Sequence, residues 1–176
     1  MTVKEGPAIG TSLLKTIVDP SNPKGIMDLI NSSSIDIQNG ATTGTFNGVT
    51  GFAFTGEAAS SSAKKIRINN VINSGVNNGN WCMEAWCYFS NSNSANVIHM
   101  SADMNGNSWC LPPIHVASNR ITTVLWNNGP YTAQDTEDIV INKWYHIVAC
   151  WDSTNYLRLF VNGKLKATTS MTSYTA

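Results

Sequence analysis

Charge is scarce in this sequence and neither sign predominates: 11 lysines and arginines stand against 11 aspartates and glutamates, and charged residues make up 12% of the chain. Partners that select a basic excess, such as nucleic acid or an anionic membrane surface, are therefore not expected. The one basic cluster, Lys64, Lys65 and Arg67, alternates with Ile66 and Ile68 as the solvent face of a strand would. Long apolar runs are missing too. No stretch has the length of a membrane-spanning helix, and "MTVKEGPAIGTSLL" at the start lacks the sustained apolar region of a signal peptide. Neither secretion by that route nor membrane insertion is suggested. The four cysteines have no zinc-site or redox-motif spacing. Cys82 and Cys87 fall on opposite faces of one strand and cannot bridge each other, while Cys110 and Cys150 sit in other apolar runs. Four cysteines allow three pairings and cross-strand ones stay open, but the expected state is buried free thiols packing as small hydrophobes.

Helical periodicity is absent as well, and what replaces it is alternation. From Trp144 to Trp151 one face carries Trp144, His146, Val148 and Cys150, and the other Tyr145, Ile147, Ala149 and Trp151. Both faces are largely apolar, the pattern of a strand covered on both sides. After a polar turn beginning at Asp152, Leu157, Leu159 and Val161 alternate with Tyr156, Arg158 and Phe160, as in a half-buried strand. Asn162-Gly163 follows, a dipeptide suited to the positive φ values of a type I′ hairpin turn. Turn-rich tracts at Asn31, Asn73, Asn91, Asp103 and Trp126 punctuate the rest, so short strands joined by turns predict a β-sandwich. Residues 1–24 hold Pro7, Pro20 and Pro23 with little periodicity and read as an arm or edge segment, leaving 25–176 as the domain.

Specific segments carry a resemblance. "KWYHIVACWDSTNYLRLFVNGKLKAT", with "WCMEAWCYFS" and "GFAFTGEAASSSAKKIRIN" upstream, resembles laminin-G-like domains of the concanavalin A-like lectin/glucanase superfamily over roughly Met27 to Ala167. The resemblance implies an all-β, two-sheet antiparallel jelly roll, whose sheets are expected to meet over Phe54, Trp81, Met83, Ala85, Leu157, Leu159 and Val161. Such domains normally continue with several strands past the Asn-Gly hairpin, whereas here "MTSYTA" closes the sequence. An open sheet edge after Thr168 is the resulting expectation, with contacts to other copies or to a larger particle through that edge or the arm.

The resemblance also bears on chemistry. Glucanases of the superfamily alternate two glutamates and an aspartate on one strand, because retaining hydrolysis needs two carboxyls roughly 5 Å apart. Glu84 stands without a carboxylate two residues away on either side, and at the family's structural glutamate position it is read as a salt-bridge or hydrogen-bond partner. His146 falls at the family's histidine position and is read as structural, as are His99 and His115. No catalytic residue is assigned and no enzyme is expected. Several relatives bind calcium through loop oxygens, which makes Asp103, Asn105 and Asn107 of one loop and Asp135, Glu137 and Asp138 of another the candidates, although neither loop alone reaches the six to eight oxygens calcium takes. For sugar, the candidates are Trp109, Trp126 and Tyr131 beside Asn127 and Asn128, since aromatic faces stack on pyranose rings while amides satisfy hydroxyls. Packing under a loop is the competing role for each aromatic. The expected function is a non-enzymatic structural or adhesive protein of a virus particle, a phage capsid decoration, tail or fibre module with glycan recognition. A carbohydrate-binding module of an exported or cell-surface bacterial protein is the alternative.

Overall fold

The structure is a computed structural model, and it describes residues 35–54, 64–67, 81–93, 95–100, 111–126, 130–152 and 156–171. The expected arm at 1–24, and with it the boundary at residue 24, lies outside them. Every described element is a strand: β1 (Asp36–Gln38), β2 (Thr42–Phe46), β3 (Val49–Ala53), β4 (Lys65–Arg67), β5 (Trp81–Phe89), β6 (Ala95–Met100), β7 (Leu111–Ala117), β8 (Arg120–Trp126), β9 (Pro130–Gln134), β10 (Lys143–Asp152), β11 (Tyr156–Val161) and β12 (Lys164–Ser170). All pairings are antiparallel.

The chain divides into two compact units, one of residues 1–54 and 64–73, the other of 55–63 and 74–176. In the first, β1 pairs with β4 and β2 with β3. The β2–β3 hairpin turns at Asn47 and Gly48, with φ of 50° and 81°, the left-handed pair a type I′ turn demands. Phe54 belongs here and is 51% exposed, which corrects the expectation that the two sheets meet over it. The reason is local: β3 ends at Ala53, and beyond the last paired residue the two-residue period no longer fixes a side chain's face.

The second unit is the sandwich. One sheet runs β12-β11-β10-β5 and the other β6-β7-β8-β9. Their inner faces share one core, to which β5 gives Met83 and Cys87, β10 Ile147, Ala149 and Trp151, and β11 Leu157, Leu159 and Val161; from the other sheet come Ile114, Val116, Ile121, Leu125 and Ala133. Ala85 packs partly buried against this cluster, and Trp81 holds its register position opposite Trp151 while its side chain lies outside the described residues. Strand β11 alternates buried and less buried residues throughout, as its sequence predicts. Asn162 and Gly163 turn with φ of 50° and 75°. Strand β10 departs from expectation, because Trp144, His146, Val148 and Cys150 are half-buried rather than covered. Its apolar outer face is that of an antiparallel sheet with one side toward solvent.

Register brings Cys150 directly opposite Cys82, with the α-carbons 4.2 Å apart, and the two are joined in a disulfide. Free thiols were the expectation, and for this pair the structure corrects it. Close-spaced antiparallel partners place two β-carbons within bridging distance on one face, but a single sequence does not reveal which residues two distant strands will set opposite each other. Cys87, on the inner face of β5, is buried and free, and burial pushes its thiol up to about 12. Cys110 lies outside the described residues.

Candidate functional site

Two groups of polar side chains are assembled on the sandwich. The first surrounds the loop from Asp135 to Asn142, between β9 and β10. Asp135 begins it by donating its N–H to the Ile121 carbonyl at 2.9 Å and accepting the Glu137 N–H on its own carboxylate at 3.1 Å. Ile139 anchors the middle, its side chain buried in the core and its N–H bonded to the Asn119 carbonyl. The Tyr145 hydroxyl closes the loop, accepting from the Val140 N–H at 2.8 Å and donating to the same residue's carbonyl at 3.2 Å. Between this loop and the β11–β12 hairpin is a cleft of about 220 Å³ lined by Ile121, Val161, Asn162 and Lys164 among others.

The acidic residues of that cleft are already answered. Lys166 Nζ lies 2.7 Å from Glu137 Oε1 and 3.6 Å from Asp135 Oδ1, and Arg120 Nε lies 3.0 Å from Asp138 Oδ1. All three calcium candidates of this loop therefore face a cation of the protein itself, and a bound calcium would have to displace Lys166 and Arg120. No group of three histidine, cysteine, aspartate or glutamate side chains able to hold a metal occurs among the described residues. Asp103, Asn105 and Asn107 lie outside them.

The Lys166 clasp ties β12 to the loop after β9, and Thr169 Oγ1 adds a second tie by donating to the Thr132 carbonyl at 2.6 Å. The hydrogen bond from Lys166, then its charge, holds the Glu137 carboxyl below its ordinary range, and the bond to Glu137 in turn raises Lys166. A depressed carboxylate adds stability above its ordinary value of 4.5 that is lost as pH falls through the folded-state value. A raised ammonium adds stability below its ordinary value of 10.5 that is lost as pH rises through the folded-state value. The melting-temperature gap between wild type and Lys166→Met is accordingly expected to be widest between these limits and to narrow outside both, as a series of thermal melts across pH would reveal.

The second group stands on the outer face of the β12-β11-β10-β5 sheet. Cys82, Glu84, Trp86 and Tyr88 of β5 alternate outward, and β10 sets Cys150, Val148, His146 and Trp144 opposite them in that order. Trp86 is 66% exposed and stacks on the His146 ring, with centroids 4.7 Å apart and planes inclined at 26°. His146 Nε2 is hydrogen-bonded to Glu84 Oε1 at 2.8 Å. The backbone of His146 is fixed as well, its N–H donating to Asn162 Oδ1 and its carbonyl accepting from the Asn162 N–H. Tyr88 and Trp144 pack at 5.6 Å beside this pair, while Phe160 and exposed Leu165 extend the apolar surface across β11 and β12. One face of the indole is thus covered by a held imidazole, and its exposure leaves the other to solvent.

Trp86 is not among the residues the sequence points to for sugar, because it lies in the middle of a strand, whereas the expected aromatics lie at or beside Asn-rich loops. Of the expected sugar-site residues, Tyr131 is half-buried against the core, Trp126 ends β8 opposite Pro130 with its side chain outside the described residues, and Trp109, Asn127 and Asn128 lie outside them. The signal that could have found Trp86 was its spacing: Cys82, Glu84, Trp86 and Tyr88 share a face, and the polar members mark that face as the solvent side.

Comparison with known proteins gives a consistent picture. Residues 60–176 match the laminin G family described as "Concanavalin A-like lectin/glucanases superfamily". No curated protein matches the chain. Among solved structures, one of botulinum neurotoxin type C, whose passage into cells depends upon interaction with two ganglioside molecules, is similar in fold, with a TM-score of 0.60 at 13% identity. The alignment covers 88% of this chain and 38% of that one, so the chain spans well under half of the toxin chain's length.

Proposed function

The chain belongs to the laminin G family of the concanavalin A-like lectin/glucanase superfamily, and from that premise we propose that it is a non-enzymatic carbohydrate-binding module whose contact surface is the outer sheet face around Trp86. The observation that carries this reading is the indole itself: 66% exposed, backed by His146 and flanked by the Glu84 carboxylate. A pyranose ring offers axial C–H groups that stack on such a face, and its hydroxyls need fixed acceptors at the rim. A toxin of similar fold that interacts with gangliosides makes glycans the first ligand class to test. The non-enzymatic part of this reading is supported by Glu84 being engaged by His146 with no second carboxylate beside it on β5 or opposite it on β10, the pair that retaining glycoside hydrolysis needs.

A second reading places the module on the surface of a virus particle, packed against other copies or other particle proteins. The disulfide of Cys82 and Cys150 supports an exterior location, particle or cell surface, because such bonds persist in oxidising surroundings.

Glycan binding is tested by titrating oligosaccharides from an array screen into wild type and Trp86→Ala. Loss of the stacking surface is expected to cost on the order of 2 kcal/mol, about thirtyfold in affinity, with the melting temperature unchanged because the side chain is mostly in solvent. Equal affinity in the variant would move the site elsewhere.

A further inference from the structure

We infer that the Trp86 surface selects uncharged glycans over those bearing a carboxylate, sulfate or phosphate, an inference that rests on the carbohydrate-binding reading and specifies its ligand class. Glu84 is two residues from Trp86 on the same face of β5, with 55% of its side chain exposed. His146 occupies its Oε1 at 2.8 Å, which leaves Oε2 as an acceptor for sugar hydroxyls. A hydroxyl is the donor this carboxylate needs. An acidic substituent brought to the same place has no proton to give and meets a like charge.

Apart from the His146 imidazole already bonded to Glu84, no lysine or guanidinium is set beside Trp86 among the described residues of this sheet face. The guanidinium of this sheet, Arg158, lies on β11 opposite Cys150, two strands away from β5 and two residues along β10 from Val148, the partner of Glu84, about 7 Å along the strand direction. Arg158 is also turned aside, its guanidinium 5.1 Å above the Tyr156 ring at the far end of β11. Lys166 belongs to the inner clasp with Glu137 and Asp135. The remaining neighbours of Trp86 on this face, Tyr88, Trp144 and Val148, carry no positive charge. The site therefore combines an apolar platform with a single acidic rim, suited to a neutral hexose and unfavourable to an anionic one.

The test is an array of neutral oligosaccharides, each matched with its sialylated or sulfated counterpart, read by titration with wild type, Glu84→Gln and Glu84→Lys, all checked for native circular dichroism. Wild type is expected to favour the neutral member by about tenfold or more, as like-charge juxtaposition at an interface requires. Glu84→Gln should narrow that ratio and Glu84→Lys reverse it, two variants at an exposed position that need not both disturb the His146 contact. Equal or tighter binding of the anionic members by wild type, or a ratio indifferent to both substitutions, would overturn the inference and leave glycan binding intact. If wild type bound no member of any pair, the carbohydrate reading would fall, and the inference with it.

Discussion

Replacing Leu159 with alanine is expected to destabilise the sandwich by roughly 3–5 kcal/mol, the upper part of the range for such truncations. Leu159 is completely buried at the middle of β11, and its register neighbours are Ala149 on β10 and Ala167 on β12. Two alanines cannot extend into the space a leucine vacates. The cavity would therefore persist, with core residues of the facing sheet such as Ile121 and Leu125 losing contacts that relaxation cannot restore. Leu165→Ala is the control, because that side chain is 53% exposed on the outer face and its loss should fall within about 0.5 kcal/mol. Chemical denaturation of both variants separates them. A Leu159→Ala cost below about 1 kcal/mol would mean that the two sheets do not close over this position.

Opening the Cys82–Cys150 bond is the other large expected effect, a loss of roughly 2–4 kcal/mol. The two cysteines are 68 residues apart in sequence, so the bond removes a long loop's freedom from the unfolded chain while the register already holds β5 and β10 together in the folded one. A Cys82→Ser, Cys150→Ser variant should retain the native circular dichroism spectrum, unfold at lower denaturant and show a steeper denaturant dependence, because its unfolded state is less compact. Its midpoint should ignore added reductant, which wild type's should not. A reductant-insensitive wild type would show that the bond is not part of the native protein in solution.

How far the sequence could be read differs by level, for physical reasons. Alternation in β10 and β11 and the Asn162-Gly163 turn are local properties, each determined by pleat or φ, and they gave the correct strands and hairpin. Burial of Met83, Leu157, Leu159 and Val161 follows from the same period. Phe54 fails because it sits one residue past the end of its strand. Pairings between distant segments are another matter: nothing in a two-residue period says that Cys82 will face Cys150, that Glu84 will meet His146, or that Lys166 will reach Glu137 across 29 positions. Resemblance supplied structural roles for Glu84 and His146, but the exposed indole between them depends on which face of β5 is left toward solvent. That is settled only when the second sheet takes the other face.

The tie between β12 and the β9 end of the opposite sheet has a consequence for crowding. Among the described residues β12 is the outermost strand of its sheet, and a bare outer strand templates fibre growth when many copies are held close together. Here that strand carries Lys164 and Lys166, and its Lys166 and Thr169 side chains are committed sideways to Glu137 and Thr132. Lysines on an outer strand oppose docking because an incoming strand must bring its own backbone alongside their charge. On this strand, crowded copies meet positive charge alongside the open backbone.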